Sequence, residues 1–128
     1  MRRLLKYIDP DSIDSYIDIT KPGTYTLGRS GTIRLRSRYA SRIHALISVS
    51  PQDEKAVLID GDGQVPSRNG TLINGRIISG RNILEGEKSS FLKPGDEIRI
   101  GREGFIYIEE DVIDTDEDKT VEVVYEWD

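Results

Sequence analysis

Ala56-Val57-Leu58-Ile59-Asp60-Gly61-Asp62-Gly63 is an apolar run of strand length that breaks into a glycine-punctuated turn. The same arrangement recurs on both sides of it. Thr32-Ile33-Arg34-Leu35-Arg36 and Glu97-Ile98-Arg99-Ile100 alternate polar with apolar, and Ala45-Leu46-Ile47-Ser48-Val49 does so more weakly. Phe105-Ile106-Tyr107-Ile108 is a second apolar run rich in β-branched and aromatic residues. Pro22-Gly23, Asn69-Gly70, Asn74-Gly75 and Pro94-Gly95-Asp96 supply further chain reversals. Glycine and proline recur too often for a helix of ten residues to fit comfortably. Only Ile13-Asp14-Ser15-Tyr16-Ile17 suits either a short helix or the start of a strand. Many short strands between turns make an all-β, antiparallel sandwich or barrel.

The chain has 128 residues, enough for one such domain. With 36% hydrophobic and 32% charged residues it has the composition of a soluble globular protein. No apolar run approaches the roughly 20 residues of a membrane helix, so no membrane role is expected. The absence of cysteine excludes disulfides, thiolate metal sites and a cysteine nucleophile, and is compatible with a reducing, cytoplasmic setting.

The net charge of −5 is unevenly spread. Between Ile19 and Gln52 there is no acidic residue, yet Lys21, Arg29, Arg34, Arg36, Arg38 and Arg42 fall there. From Glu109 to Asp128 there are ten acidic residues against Lys119 alone. A cationic stripe on an acidic protein suits a short anionic ligand better than a long nucleic acid, which the rest of the surface would repel.

Three clusters put hydrogen-bonding side chains on loops beside strand ends, where the loops of a sandwich can converge. They are Gly28-Arg29-Ser30, then Ser41-Arg42-Ile43-His44, then Ser67-Arg68-Asn69-Gly70-Thr71 followed two residues later by Asn74-Gly75. Arg29 and Arg42 offer guanidinium forks matched to phosphate, and Ser41 offers a hydroxyl. In this order the clusters resemble the signature of forkhead-associated (FHA) domains: Gly-Arg, Ser-Arg-x-His, Asn-Gly-Thr and a trailing Asn-Gly. Ile33-x-Leu35 and Leu92-x-Pro94-Gly95-Asp96-x-Ile98 fit the same pattern, and the resemblance spans roughly Arg2 to Glu110.

The resemblance implies an antiparallel β-sandwich of about eleven strands whose apical loops bind a phosphothreonine peptide. The partners would be products of Ser/Thr kinases, the chain would be no enzyme, and no cofactor or metal would be needed. Arg29 and Ser41 would hold the phosphate, with Arg42 adding a contact, and Asn69 would hold the peptide main chain. Gly28, His44, Gly70, Thr71 and Asn74 would shape the loops without touching ligand. The chain departs from the pattern at Thr32, Arg36 and Arg68; Arg68 either adds a phosphate contact or blocks the usual geometry. The stretch Arg34 to Arg38 would make the rim cationic and favour acidic residues around the phosphothreonine.

Other readings of the same residues are weaker. Gly61-Asp62-Gly63 lacks the Gly-Lys-Ser/Thr and helix of a nucleotide loop, and Asp60 with Asp62 lacks the remaining ligands of a calcium loop. Ser41 and His44 as nucleophile and base have no evident orienting acid. A scaffold that assembles through its sheet edges remains the non-catalytic alternative. The organisation expected is a phosphopeptide-binding domain over 1–110 and an acidic tail over 111–128. Glu109 to Lys119 reads as a solvated spacer, and Val121, Val123, Tyr125 and Trp127 line one face of a period-2 segment that can add a strand or support self-association. Thr115, within Asp114-Thr115-Asp116-Glu117-Asp118, suits an acidophilic kinase.

Overall fold

The computed structural model describes residues 1–8, 15–52, 55–79 and 89–111. They form eleven strands: β1 (Arg2–Ile8), β2 (Ser15–Asp18), β3 (Gly23–Gly28), β4 (Ile33–Arg34), β5 (Ala45–Val49), β6 (Ala56–Asp60), β7 (Thr71–Ile73), β8 (Arg76–Ser79), β9 (Ser89–Phe91), β10 (Glu97–Ile100) and β11 (Glu103–Glu110). One sheet has the order β2-β1-β11-β10-β7-β8 and the other β4-β3-β5-β6-β9. The architecture is therefore a sandwich and not a barrel.

Period-2 patterning decides which side chains face inward. In β5, Ala45, Ile47 and Val49 are buried, and in β6 the same face carries Ala56, Leu58 and Asp60. Leu5, Leu27, Leu35, Ile98, Ile100, Phe105 and Tyr107 complete the core between the sheets. The Asn74-Gly75 pair makes a two-residue hairpin between β7 and β8, with φ of 52° and 83° at its two residues. Positive φ at both positions is what a type I′ turn demands, and Asn-Gly meets that demand at low cost.

Of the two alternatives open for the stretch from Ile13 to Ile17, residues 15–17 take the strand, within β2. Other details differ from the sequence reading. β4 is only two residues long and runs parallel to β3, the one parallel pairing among the described strands. Glu109 and Glu110 are not spacer: they continue β11, opposite Arg3 and Arg2. The ladder to β1 prolongs the strand through both carboxylates, and Glu109 also accepts the Tyr107 hydroxyl at 2.9 Å. The period-2 segment from Val121 to Trp127, and Thr115, lie outside the described residues.

The register explains why loops distant in sequence meet. Leu27 at the end of β3 pairs with Ala45 at the start of β5, and Ala45 pairs with Asp60 at the end of β6. These three residues form one row across the sheet. The segments that leave that row, 28–32, 35–44 and 61–70, emerge side by side at the same end of the sandwich.

Candidate functional site

Backbone hydrogen bonds tie the first two of these loops together. Arg29 N–H donates to the Ser41 carbonyl at 3.1 Å, Ser30 N–H to Arg42 at 2.9 Å, and His44 N–H to Leu27 at 2.7 Å. So close an approach requires a residue without a side chain at position 28, since a Cβ there would run into the Arg42 carbonyl. Arg29 is aimed by a further bond: its Nε donates to the Ala40 carbonyl at 2.8 Å. That bond uses Nε alone, so the two terminal nitrogens of this exposed guanidinium keep their donors for a ligand.

Ser41 is held from two sides. Its N–H donates to His44 Nδ1 at 2.9 Å, and its Oγ accepts the Arg68 N–H at 3.2 Å. The hydroxyl oxygen is used as an acceptor, so the hydroxyl proton is available to a ligand. Asn69 Nδ2 donates to the Tyr39 carbonyl at 2.8 Å, which fixes the amide plane. Arg29, Ser41, Arg42, Arg68 and Asn69 all line a single open cleft of about 970 Å³, together with Arg38, Tyr39, Ile43, Asp62, Val65 and Pro66. Of the cationic stretch from Arg34 to Arg38, only Arg38 reaches this cleft. Ser37 to Ala40 closes a turn, the Ala40 N–H donating to the Ser37 carbonyl at 3.1 Å, and Arg34 and Arg36 line a different depression beside Tyr7.

Beneath the cleft lies a carboxylate whose part was not legible in the sequence. Asp60 is 6% exposed. Its Oδ1 accepts the hydroxyls of Ser67 and Thr71 at 2.7 and 2.6 Å, and its Oδ2 accepts the Ser67 N–H at 2.9 Å. Ser67 Oγ in turn accepts the Gly70 N–H at 2.9 Å. This chain of bonds joins β6 of one sheet to β7 of the other and holds the Arg68-Asn69 loop between them. Gly70 has φ of 86°, and a Cβ there would meet the Ser79 carbonyl. A second buried carboxylate, Glu103, accepts the backbone N–H groups of Arg36 and Ser37 at 2.7 and 2.9 Å, anchoring the start of the arginine-bearing loop. Asn74 braces another turn at the far end of β7, donating to Asp96 at 3.0 Å and accepting Glu97 N–H at 2.9 Å.

His44 is fully buried and its tautomer follows from its neighbours. Nδ1 accepts from Ser41, so Nε2 carries the proton and donates to the Gly70 carbonyl at 2.7 Å. Burial pushes its pKa below the ordinary value, outweighing the opposing Gly70 bond and the Asp60 charge. As pH falls below about 6.5, the unfolded chain takes up this proton before the folded one does. Stability should therefore be complete above about pH 6.5 and decline below it. This is the chain's single histidine, so urea unfolding between pH 8 and pH 5 should show a smaller decline for His44→Gln than for the parent. Parallel curves would dissociate His44 from the effect.

Among the described residues no cluster of histidine, cysteine or carboxylate side chains could hold a metal ion. Asp60 is committed to Ser67 and Thr71. Asp62 accepts the N–H groups of Gln64 and Val65 at 2.9 and 2.8 Å, bonds that hold its pKa below the usual carboxylate range.

The family model for the FHA domain matches residues 25–101, more than half of the chain. The chain belongs to the FHA domain family. As a fold, this FHA domain is similar to that of the CT664 protein from Chlamydia trachomatis, with a TM-score of 0.70 and 24% identity over 87% of this chain and 100% of that one. It is also similar to the Slr1951 protein from Synechocystis, with a TM-score of 0.66 and 28% identity over 85% and 99% of the two chains. The FHA domain of yeast Dun1, solved with a doubly phosphorylated phosphothreonine peptide, matches with a TM-score of 0.64 and 24% identity over 94% and 85%. No curated protein matches the sequence.

Proposed function

We propose that this FHA domain is a phosphothreonine-dependent interaction module that binds kinase-phosphorylated partners through the cleft at the end of the sandwich. The observation that carries the reading is the convergence of Arg29, Ser41 and Arg42 on one open cleft. Family membership supports it, as does the phosphopeptide bound by the Dun1 domain. Arg29 and Ser41 are the phosphate ligands, with Arg42 and Arg68 beside them. Asn69 is the main-chain ligand, because one amide N–H is spent on Tyr39 and leaves Oδ1 and a second N–H for the peptide. Gly28, His44, Gly70, Thr71 and Asn74 act by holding loops in place. The module recognises and does not catalyse, and its partners are proteins modified by Ser/Thr kinases in the cytoplasm. The binding unit is 1–110, with 111–128 as an acidic tail.

Threonine phosphate carries about −1.5 to −2 charges and three acceptor oxygens. A peptide selected from an oriented phosphothreonine library should bind at least about a hundredfold more tightly than its unphosphorylated counterpart, since each charged hydrogen bond contributes about 1.5–3 kcal/mol. The phosphoserine version should bind more weakly, by up to the ~3 kcal/mol that a methyl in a shaped pocket is worth. Equal binding of phosphorylated and unphosphorylated forms would overturn the proposal. A scaffold acting through its sheet edges would ignore the phosphate.

A further inference from the structure

The positive charge in the cleft exceeds what one phosphate can neutralise. Four guanidiniums line it, those of Arg29, Arg38, Arg42 and Arg68, against the single carboxylate of Asp62. Among the described residues none of the four is paired with a carboxylate. Two arginines outside the cleft are by contrast engaged within the fold: Arg99 Nε meets Glu97 at 2.7 Å, and Arg36 donates to the Tyr7 hydroxyl at 3.1 Å. Outside the cleft lining, Arg102 lies with its guanidinium carbon 5.7 Å from the ring centre of Tyr39, a residue that does line the cleft. Four positive charges less one negative leave three. A phosphothreonine supplies at most about two negatives.

Surplus like charge in one cleft is a standing repulsion that further anions on the ligand would relieve. The cleft is also roomy, since about 970 Å³ lies near the upper end of the range for small-molecule pockets. It accommodates several peptide residues and not one phosphorylated side chain alone.

We infer that the site takes a phosphothreonine embedded in an acidic stretch, with Arg38 and Arg68 as the residues that read the flanking carboxylates. The inference rests on the phosphothreonine reading above and names the ligand class more narrowly. Such a ligand has two sources, a partner protein or this chain's own Asp114-Thr115-Asp116-Glu117-Asp118.

Three synthetic nine-residue probes test it on the full chain. One carries phosphothreonine between neutral residues, one carries phosphothreonine between aspartates and glutamates, and one is the acidic probe without phosphate. At low salt the acidic phosphorylated probe should bind about tenfold more tightly than the neutral one, a few-fold per exposed ion pair. Raising the salt should shrink the ratio. Arg38→Gln should reduce it to about threefold or less. Equal affinity of the two phosphorylated probes would overturn the inference while leaving phosphothreonine recognition intact. Failure of both to bind would remove the underlying reading, and the inference with it. Tight binding of the unphosphorylated acidic probe would replace both with generic anion capture. The full chain carrying phosphate on Thr115 separates the sources. Weaker capture of the acidic probe by that chain assigns the cleft to the protein's own tail, and unchanged capture assigns it to a partner.

Discussion

Arg29→Ala should lower affinity for a library-selected phosphothreonine peptide by about a hundredfold or more, measured by isothermal titration. The guanidinium is exposed, and its Nε bond to the Ala40 carbonyl leaves the rest of the fork for the phosphate. Losing two charged hydrogen bonds costs about 3–6 kcal/mol. The melting temperature should move far less, because the backbone bonds from Arg29 to Ser41 and from Ser30 to Arg42 survive the substitution. Arg29→Lys should recover little of the loss. A lysine brings the charge but neither the Nε anchor nor the planar fork. Parental affinity in either variant would remove Arg29 from the site.

Asp60→Ala should lower stability by about 3–5 kcal/mol. It leaves the hydroxyls of Ser67 and Thr71 and the Ser67 N–H without their acceptor inside the fold. Each such buried donor costs about 1–3 kcal/mol. For a chain of this length the melting temperature should fall by roughly 10–20 °C in calorimetry. Thr71→Val is the informative comparison, since it removes one donor and leaves Asp60 its Ser67 bonds. It should cost about 1 kcal/mol. A mild Asp60→Ala would mean that the loop holds by its backbone bonds alone. Because the same network fixes the Arg68-Asn69 loop, peptide binding should weaken along with stability.

The residues that later meet in the cleft were legible in the sequence because their chemistry is local. Gly28-Arg29, Ser41-Arg42-x-His44 and Asn69-Gly70 each sit where a loop meets a strand end, and each loop residue has few alternative uses. Strands β5 and β10 were legible from an alternation that survives over four residues or more, and β6 and β11 from apolar runs of strand length rich in β-branched or aromatic residues. What escaped depends on contacts between distant segments. In an extended strand Arg34, Arg36 and Arg38 would share one face. The strand instead stops at Arg34, and the turn from Ser37 to Ala40 sends Arg38 into the cleft while Arg36 goes to Tyr7. Asp60 read as half of an incomplete calcium loop, since nothing local reveals that β6 points it inward toward Ser67 and Thr71. Glu103 gave no local sign of holding the N–H groups of residues 36 and 37, 66 or more positions earlier.

The row formed by Leu27, Ala45 and Asp60 bears on how quickly partners come and go. The loops above it are fastened to one another and to that row by their own backbone, so a peptide meets a surface that needs little ordering before it can dock. Encounter is then governed by diffusion and by the field of the clustered guanidiniums, which makes arrival fast and sensitive to ionic strength. Departure is governed by how many directional bonds must break together. On the proposed function the two halves of affinity would lie with different atoms: the charge of Arg38, Arg42 and Arg68 would set how soon a phosphorylated partner is captured, and the geometry of Arg29, Ser41 and Asn69 how long it stays.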